Sequence, residues 1–273
     1  MDKVVVIGLG EVGSAIYKVF EYSGKFEVYG YDIDPNKTIN RLEEIPRNID
    51  FMHIAIPYSS RFVDIVKQYV AKFSPEYIVI HSTVAPGITR EVYNASFVPT
   101  AFSPVRGKHP NIVKHLYFWP KWIVSLPLEK LSIFVLHHLL AGFKVKEYRG
   151  EPESLELAKL WETVYRAIMI ASWHEIHRIA LRFGADIEAI AQFVGEVHEV
   201  LHDRPIYYPD YIGGHCLIPN TKILNSVYSS KVFEFVLQSN EKRLEELKDE
   251  KIRNDVERVK LLAQRYINKD YYS

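Results

Sequence analysis

The sequence has little cysteine, no excess of charge and no long apolar run, and each absence excludes a class of protein. The one cysteine, Cys216, excludes an intramolecular disulfide framework and suits a reducing compartment, so we expect a cytoplasmic protein. Acidic and basic residues number 34 each, which gives no reason to expect a nucleic-acid partner. The apolar run in MDKVVVIGLG is too short for a signal peptide or a membrane span, so we expect no membrane association.

Length and histidine spacing set further limits. The 273 residues suffice for about two domains, and 48% of them are apolar, which is enough for sizeable cores. Few of the eleven histidines lie close in sequence, among them His137 with His138 and His174 with His177, and no second cysteine is present. We therefore predict no bound metal.

A glycine-rich motif follows the first predicted strand. The strand at residues 4–7 leads into GLGEVG, in which Gly8, Gly10 and Gly13 enclose Glu11 and Val12, and a predicted helix follows at 14–22. A second strand, residues 27–31, ends at Asp32. This is the setting of a dinucleotide-binding loop, with the carboxylate placed for the ribose hydroxyls. Because a carboxylate repels a 2′-phosphate, we predict NAD rather than NADP as the cofactor.

Strands and helices continue to alternate through residues 50–148, which predicts an α/β fold with a doubly wound parallel sheet of the Rossmann type. We assign residues 1–149 to this NAD-binding domain. Ligands bind beyond the carboxyl ends of the strands in such sheets, so Pro57, Ser82 and Thr83 are expected beside the nicotinamide. A plain helix cap is the alternative for Ser82 and Thr83.

Residues 150–273 show helical patterns only, and we assign them to an all-helical dimerisation and substrate domain. Its first helix, predicted over 151–183, is apolar on too many sides for one small domain to cover, so we expect a homodimer through it. Lys159 and Thr163 share one face of this helix. The alternative is a core helix with a polar edge.

An irregular loop over residues 202–220 interrupts the helices. It is rich in Pro, Tyr and Gly, and two glycines stand directly before His215 and Cys216. Long irregular loops inside compact domains usually carry function, and a helix start near Cys216 would favour its thiolate. The alternative is a buried, inert cysteine.

Six stretches together resemble the UDP-glucose/GDP-mannose dehydrogenase family: VVVIGLGEVG, YDIDPNK, HSTVAPGITR, SPVRGKHP, ELAKLWETVYRA and IGGHCLIPN. The resemblance implies oxidation of a sugar alcohol to an acid with two NAD molecules. It further implies that Asp32 and Lys37 hold the adenosine ribose, that Thr83 lies near the reacting carbon, that Lys159 stabilises an oxyanion and that Cys216 is the nucleophile.

The sequence departs from the family pattern at the acid/base positions. Thr163 replaces an Asn, Asn220 replaces an Asp, Val105 replaces a Glu and His109 replaces a second Glu. His109 is therefore a speculative substitute acid/base. The family also carries a second Rossmann-like domain for the nucleotide of its substrate, for which we expect no room here.

The sequence thus favours an NAD-dependent oxidoreductase that resembles UDP-glucose 6-dehydrogenase, acting on an alcohol or aldehyde of an unknown small sugar or polyol. Its candidate catalytic residues are Cys216, Lys159, Thr83, Thr163, Asn220 and His109. One alternative is a non-catalytic NAD-binding remnant with a regulatory or assembly role. Another is a simple hydroxyacid-type dehydrogenase that uses Lys159 alone.

Overall fold

The computed structural model describes residues 1–108 and 110–266. It divides into two units, Met1–Lys159 and the chain from Leu160 onward, and each is described by itself. The division between the two units lies within the helix Pro152–Phe183. The predicted domain boundary at residue 149 stays a prediction.

Seven strands form one sheet in the first unit, in the order β2-β1-β3-β4-β5-β6-β7. All neighbouring pairs are parallel except β5 with β6. The strands are β1 (Asp2–Ile7), β2 (Phe26–Tyr31), β3 (Phe51–Ile54), β4 (Tyr77–Ile80), β5 (Thr100–Phe102), β6 (Lys121–Leu126) and β7 (Val145–Glu147). The strand order reverses between β1 and β3, which is where ligands bind in doubly wound sheets.

Five helices of the first unit connect these strands: α1 (Glu11–Ser23), α2 (Phe62–Phe73), α3 (Ile88–Ser96), α4 (Ile112–Phe118) and α5 (Leu131–Leu140). The central strands are apolar on both faces, with Val4, Val5 and Val6 fully buried. Helices must therefore cover both faces of the sheet. The predicted α/β class is confirmed, with the antiparallel pair β5–β6 as its one departure from a parallel sheet.

Helices alone form the described part of the second unit. Helix α6 (Pro152–Phe183) begins at Pro152, whose missing N–H costs nothing there, and ends before Gly184, which has a left-handed φ of 64°. The helices that follow are α7 (Ile187–Leu201), α8 (Leu217–Val227), α9 (Lys231–Glu246) and α10 (Glu250–Ala263). None of the helices in the described ranges has the length and apolar character needed to cross a membrane.

Candidate functional site

The predicted dinucleotide loop joins β1 to α1, and its glycines are required by close backbone contacts. A Cβ on Gly8 would lie 2.7 Å from the Ala55 carbonyl oxygen, and Gly8 has a φ of 86°. A Cβ on Gly13 would lie 1.7 Å from the Gly8 carbonyl oxygen, so only glycine lets α1 start this close to β1. Gly10 meets no atom within 4 Å and precedes the first turn of α1, which leaves its surroundings open to a ligand.

Asp32 links the end of β2 to this loop. Its Oδ2 accepts a hydrogen bond from the Leu9 amide at 2.6 Å, and its Oδ1 accepts one from the Asp34 amide at 2.8 Å. Lys37 forms an ion pair with Asp34 at 3.1 Å. The carboxylate is half-buried and fixed in orientation, and each oxygen retains acceptor capacity for a hydroxyl.

A cavity of about 310 Å³ opens beside the first turn of α1. The residues that line it include Gly10, Glu11, Ser14, Lys18 and Lys37. Free amides at a helix N-terminus together with two lysines favour an anion. These residues therefore fit the pyrophosphate of a dinucleotide.

Ser82 and Thr83 follow β4 at the carboxyl edge of the sheet, and they differ in what they can do. The Ser82 hydroxyl is buried and donates to the Ile56 carbonyl at 2.7 Å, so it serves the protein. Thr83 is half-buried, and its hydroxyl bonds to no other described residue, so it can meet a ligand. Neither hydroxyl caps α3, which removes the helix-cap alternative. Pro57 follows β3 at the same edge and is exposed.

Glu156 ties the start of α6 to this edge. Its carboxylate accepts bonds from the Gly87 amide at 2.6 Å, the Thr89 amide at 2.8 Å and the Thr89 hydroxyl at 2.7 Å. The side chain is fully buried, and this burial raises its pKa. Glu156 thus caps α3 from another helix and fixes the turn of α6 that carries Lys159, which is half-buried.

A chain of buried histidines lies behind the same edge, and the sequence did not lead us to it. His53 Nδ1 is 2.8 Å from His81 Nε2, and His53 Nε2 is 2.9 Å from His137 Nε2. His81 Nδ1 is 2.7 Å from the Ser103 carbonyl oxygen, which can only accept. His81 Nδ1 can donate to this oxygen, and in that tautomer His53 donates to His81 and His137 donates to His53.

This one-directional chain holds all three imidazoles neutral. A proton added at the end of this chain would create a buried N–H group without an acceptor, because His137 Nδ1 has no hydrogen-bond partner among the described residues. Burial lowers the pKa of His53, His81 and His137 well below the usual value, with smaller effects from neighbouring positive groups. Burial also lowers the pKa of the adjacent His138 to about 3.

Lys121 begins β6 and completes the polar cluster. Its Nζ lies 2.6 Å from the Ser103 carbonyl oxygen, 3.1 Å from that of Pro104 and 3.2 Å from His81 Nδ1. Burial, followed by the charges of Lys159 and Arg106, lowers its pKa well below the usual value. The only sequence signal for these residues was a single polar residue within an apolar run, as in FMHIAIP and PKWIVSL.

The residues that stand in place of the family's acid/base residues have apolar or mutually bonded surroundings where the structure describes them. Val105 is 6% exposed and belongs to the hydrophobic core of the first unit, with Ile112 and Leu116. His109 lies outside the described residues. In the second unit, the Asn220 amide donates to the Thr163 hydroxyl at 2.7 Å, and that hydroxyl donates to the Leu160 carbonyl at 2.9 Å. Thr163 and Asn220 are both buried and satisfy each other.

Cys216 is the residue that precedes α8 and is exposed. The alternative of a buried, inert cysteine is therefore wrong. Lys159 and Thr83 belong to the first unit and Cys216 to the second. Within residues 1–108 and 110–266, no group of three or more His, Cys, Asp or Glu side chains is arranged to hold a metal ion.

Sequence comparison finds relatives among nucleotide-sugar dehydrogenases. The model of the central domain of the UDP-glucose/GDP-mannose dehydrogenase family matches residues 153–243. The UDP-N-acetyl-D-mannosamine dehydrogenase of Methanocaldococcus jannaschii is 22% identical over 263 residues, which cover 79% of this chain and 59% of that protein. The chain thus spans about three fifths of this curated relative.

Solved structures show the same fold. A UDP-D-ManNAc dehydrogenase from Pyrococcus horikoshii matches 88% of this chain and 68% of its own, with a TM-score of 0.75 and 20% identity. The 3-hydroxyisobutyrate dehydrogenase of Mycobacterium tuberculosis matches 96% of this chain and 99% of its own, with a TM-score of 0.64 and 14% identity. Together, the matched central domain, the curated relative and the solved structures show that this chain is similar to members of the UDP-glucose/GDP-mannose dehydrogenase family.

Proposed function

We propose that the chain is an NAD-dependent dehydrogenase that oxidises an alcohol or aldehyde group of a small molecule. The observation that carries this proposal is the Gly8–Gly13 loop joined to the Asp32 carboxylate at the strand-order reversal of the sheet. Nucleotide-sugar and hydroxyacid dehydrogenases use NAD, which agrees with a carboxylate at the ribose position.

Several residues of the first unit would bind NAD, each at a different part of the cofactor. Asp32 would accept from the ribose hydroxyls, with Lys37 beside it. The amides of Glu11 and Val12 and the open space at Gly10 would receive the pyrophosphate. The nicotinamide would be bordered by Pro57, Ser82 and Thr83. The Ser82 hydroxyl would hold the backbone in place, and the Thr83 hydroxyl would contact the cofactor. NAD, when bound, supplies the hydride acceptor.

Two residues would carry the chemistry. Lys159 would place a positive charge where the oxyanion develops, which is usually a large term in such reactions. Cys216 would be the nucleophile that adds to an aldehyde and permits a second oxidation. Because Thr163 and Asn220 bond to each other, we expect neither to activate water, and a chain that forms a thioester would hydrolyse it slowly.

The hydroxyacid-type alternative is supported by one specific observation. The match to 3-hydroxyisobutyrate dehydrogenase covers almost the whole of both chains. In this alternative Lys159 alone would be essential and Cys216 would be dispensable. In the nucleotide-sugar type, to which the UDP-N-acetyl-D-mannosamine dehydrogenase of Methanocaldococcus jannaschii belongs, both would be needed.

Turnover tests the two types. NADH formation would be measured with UDP-N-acetylmannosamine, with unmodified polyols and with 3-hydroxy acids, for the wild type, Lys159→Ala, Cys216→Ser and the remote control Lys72→Ala. We expect Lys159→Ala to lose about a hundredfold or more in kcat and Lys72→Ala to match the wild type.

The outcome for Cys216→Ser decides between the types. Loss of acid formation with retained alcohol oxidation supports the nucleotide-sugar type, and unchanged activity supports the hydroxyacid type. If no alcohol yields NADH above the rate of Lys159→Ala, the chain is a non-catalytic NAD-binding protein and the proposal fails.

We also propose a homodimer through α6. Leu157, Trp161 and Tyr165 recur at a spacing of four on this helix and are 45%, 48% and 52% exposed. Exposed apolar stripes of this kind mark protein interfaces. Sedimentation velocity at micromolar concentration should show a dimer for the wild type and a monomer for Trp161→Glu, and a monomeric wild type would refute the interface.

A further inference from the structure

Arg106 stands at the carboxyl edge of the sheet, four residues after β5, and is held in place before any ligand arrives. One terminal nitrogen of its guanidinium donates to the Pro120 carbonyl at 2.7 Å. The guanidinium carbon lies 4.7 Å from the centre of the Trp119 ring. A guanidinium stacked and bonded in this way keeps its remaining N–H groups in a fixed fork, the geometry that suits a carboxylate or phosphate.

The backbone segment before Arg106 is also held by hydrogen bonds. The buried Lys121 amine bonds to the carbonyls of Ser103 and Pro104, while Arg106 bonds back to Pro120. Residues 103–106 and 119–121 therefore hold each other through three hydrogen bonds. Little conformational entropy remains for Arg106 to lose when it binds an anion.

The positive charge here is not balanced by the described residues. No carboxylate among residues 1–108 and 110–266 forms an ion pair with Arg106 or Lys121. The charges of Lys159 and Arg106 both act on Lys121, and they lower its pKa after burial itself. Arg106 therefore carries a positive charge that no described carboxylate neutralises, and an incoming anion would do so.

Val105 adds a separate observation. Where the resembling family has a Glu next to its Pro, this chain has an apolar side chain packed in the core. Val105 carries no charge, whereas the neighbouring Arg106 is anchored.

We propose that Arg106 binds an oxyanion group of the substrate, either a carboxylate or a phosphate, at the reaction edge beside Thr83 and Lys159. The inference rests on the proposed dehydrogenase function and narrows its substrate class to an alcohol that also carries an anionic group. Arg106 would provide the fork that orients this group, and Lys121 would act as a positioning residue for residues 103–106.

The test uses calorimetric titration of the NADH-loaded protein at constant ionic strength. Malonate probes a carboxylate, inorganic phosphate probes a phosphate, and malonamide is the uncharged control for malonate. The variants are Arg106→Gln, Arg106→Lys and the control Arg149→Gln, an exposed arginine that pairs with Glu147 elsewhere in the first unit.

We expect one anion to bind at least about tenfold more tightly than malonamide, and we expect Arg106→Gln to lose about tenfold in affinity. Arg106→Lys should retain part of the affinity, and Arg149→Gln should retain all of it. The tighter of malonate and phosphate identifies the anion. Equal binding of malonate and malonamide without phosphate binding, or unchanged anion affinity in Arg106→Gln, overturns the inference.

The two proposals fail separately. If NADH binds to the wild type but no anion depends on Arg106, the substrate class is wrong while the cofactor site stands. If NADH does not bind, the dehydrogenase proposal fails, and the anion titrations on the cofactor-free protein still decide whether Arg106 binds an oxyanion. Circular dichroism of each variant shows whether it has kept the fold.

Discussion

Replacing Gly13 with alanine should lower the free energy of unfolding by about 4 kcal/mol or more, an exceptional loss for one methyl group. The added Cβ would lie 1.7 Å from the Gly8 carbonyl oxygen and 2.8 Å from its carbon, and both are backbone atoms that cannot swing away. Relief would require α1 to move off the sheet, which would also destroy the loop that receives the pyrophosphate. Urea unfolding followed by tryptophan fluorescence measures the loss.

Gly10→Ala is the matched control three residues earlier in the same loop. Its Cβ would meet nothing within 4 Å, and its φ of −66° suits any residue. We expect its stability to stay within about 1 kcal/mol of the wild type while its NADH affinity falls, because the methyl group would stand where the cofactor approaches. Equal stability of both variants would show that α1 does not pack against β1 as described.

Lowering the pH below about 6.5, the usual pKa of histidine, should destabilise the first unit steeply. Burial lowers the pKa of His53, His81, His137 and His138 in the folded state. The unfolded chain therefore binds more protons as the pH falls through the usual value of histidine, and protonation favours unfolding. The stabilising contribution is complete above that value and is lost progressively down to the folded pKa, about 3 for His138.

The expected size follows from proton linkage. Each histidine that stays neutral only in the folded state contributes about 1.4 kcal/mol per pH unit over this window. Four of them give a slope of about 5.5 kcal/mol per pH unit, and a whole domain has a stability of about 5–15 kcal/mol. The first unit should thus unfold within about two pH units below the usual histidine pKa.

His137→Phe tests whether the buried chain is the cause. The His137 ring stacks on Phe51 with centroids 3.6 Å apart and planes at 8°, so phenylalanine keeps the stacking and removes one titrating group. Urea unfolding at several pH values should show a slope lower by about 1.4 kcal/mol per pH unit. Gly10→Ala, which changes no titrating group, should leave the slope unchanged. An unchanged slope in His137→Phe would remove the histidine chain as the cause of acid unfolding.

The sequence predicted those parts of the fold that depend on local signals. Runs such as VVVI and YIVI, each followed by glycine or polar residues, mark parallel strands and the ends where ligands bind. Strand β5 has three residues, and the direction of β6 depends on its pairing with β5, which no local pattern records. The seven-residue helix α4 is too short for a helical period to stand out in the sequence.

The site was predictable where chemistry depends on one segment and not where it depends on pairing between segments. Gly8, Gly13 and Asp32 meet through short connections, and the structure brings them together. The histidine chain joins β3, the residue after β4, and α5, which are up to 84 residues apart. Thr163 and Asn220 looked in the sequence like two separate losses of acid/base function, yet their side chains form one buried hydrogen bond.

Calorimetric titration of the wild type with NADH and NADPH tests the central claim most directly, with Asp32→Ala as the paired variant. We expect NADH to bind with one site per chain and at least about tenfold more tightly than NADPH, since in the proposed site the Asp32 carboxylate would accept from the ribose hydroxyls and repel a 2′-phosphate. Asp32→Ala should reduce this preference. Tighter binding of NADPH, or no binding of either cofactor, would contradict the assignment of the Gly8–Gly13 loop and Asp32 as an NAD site.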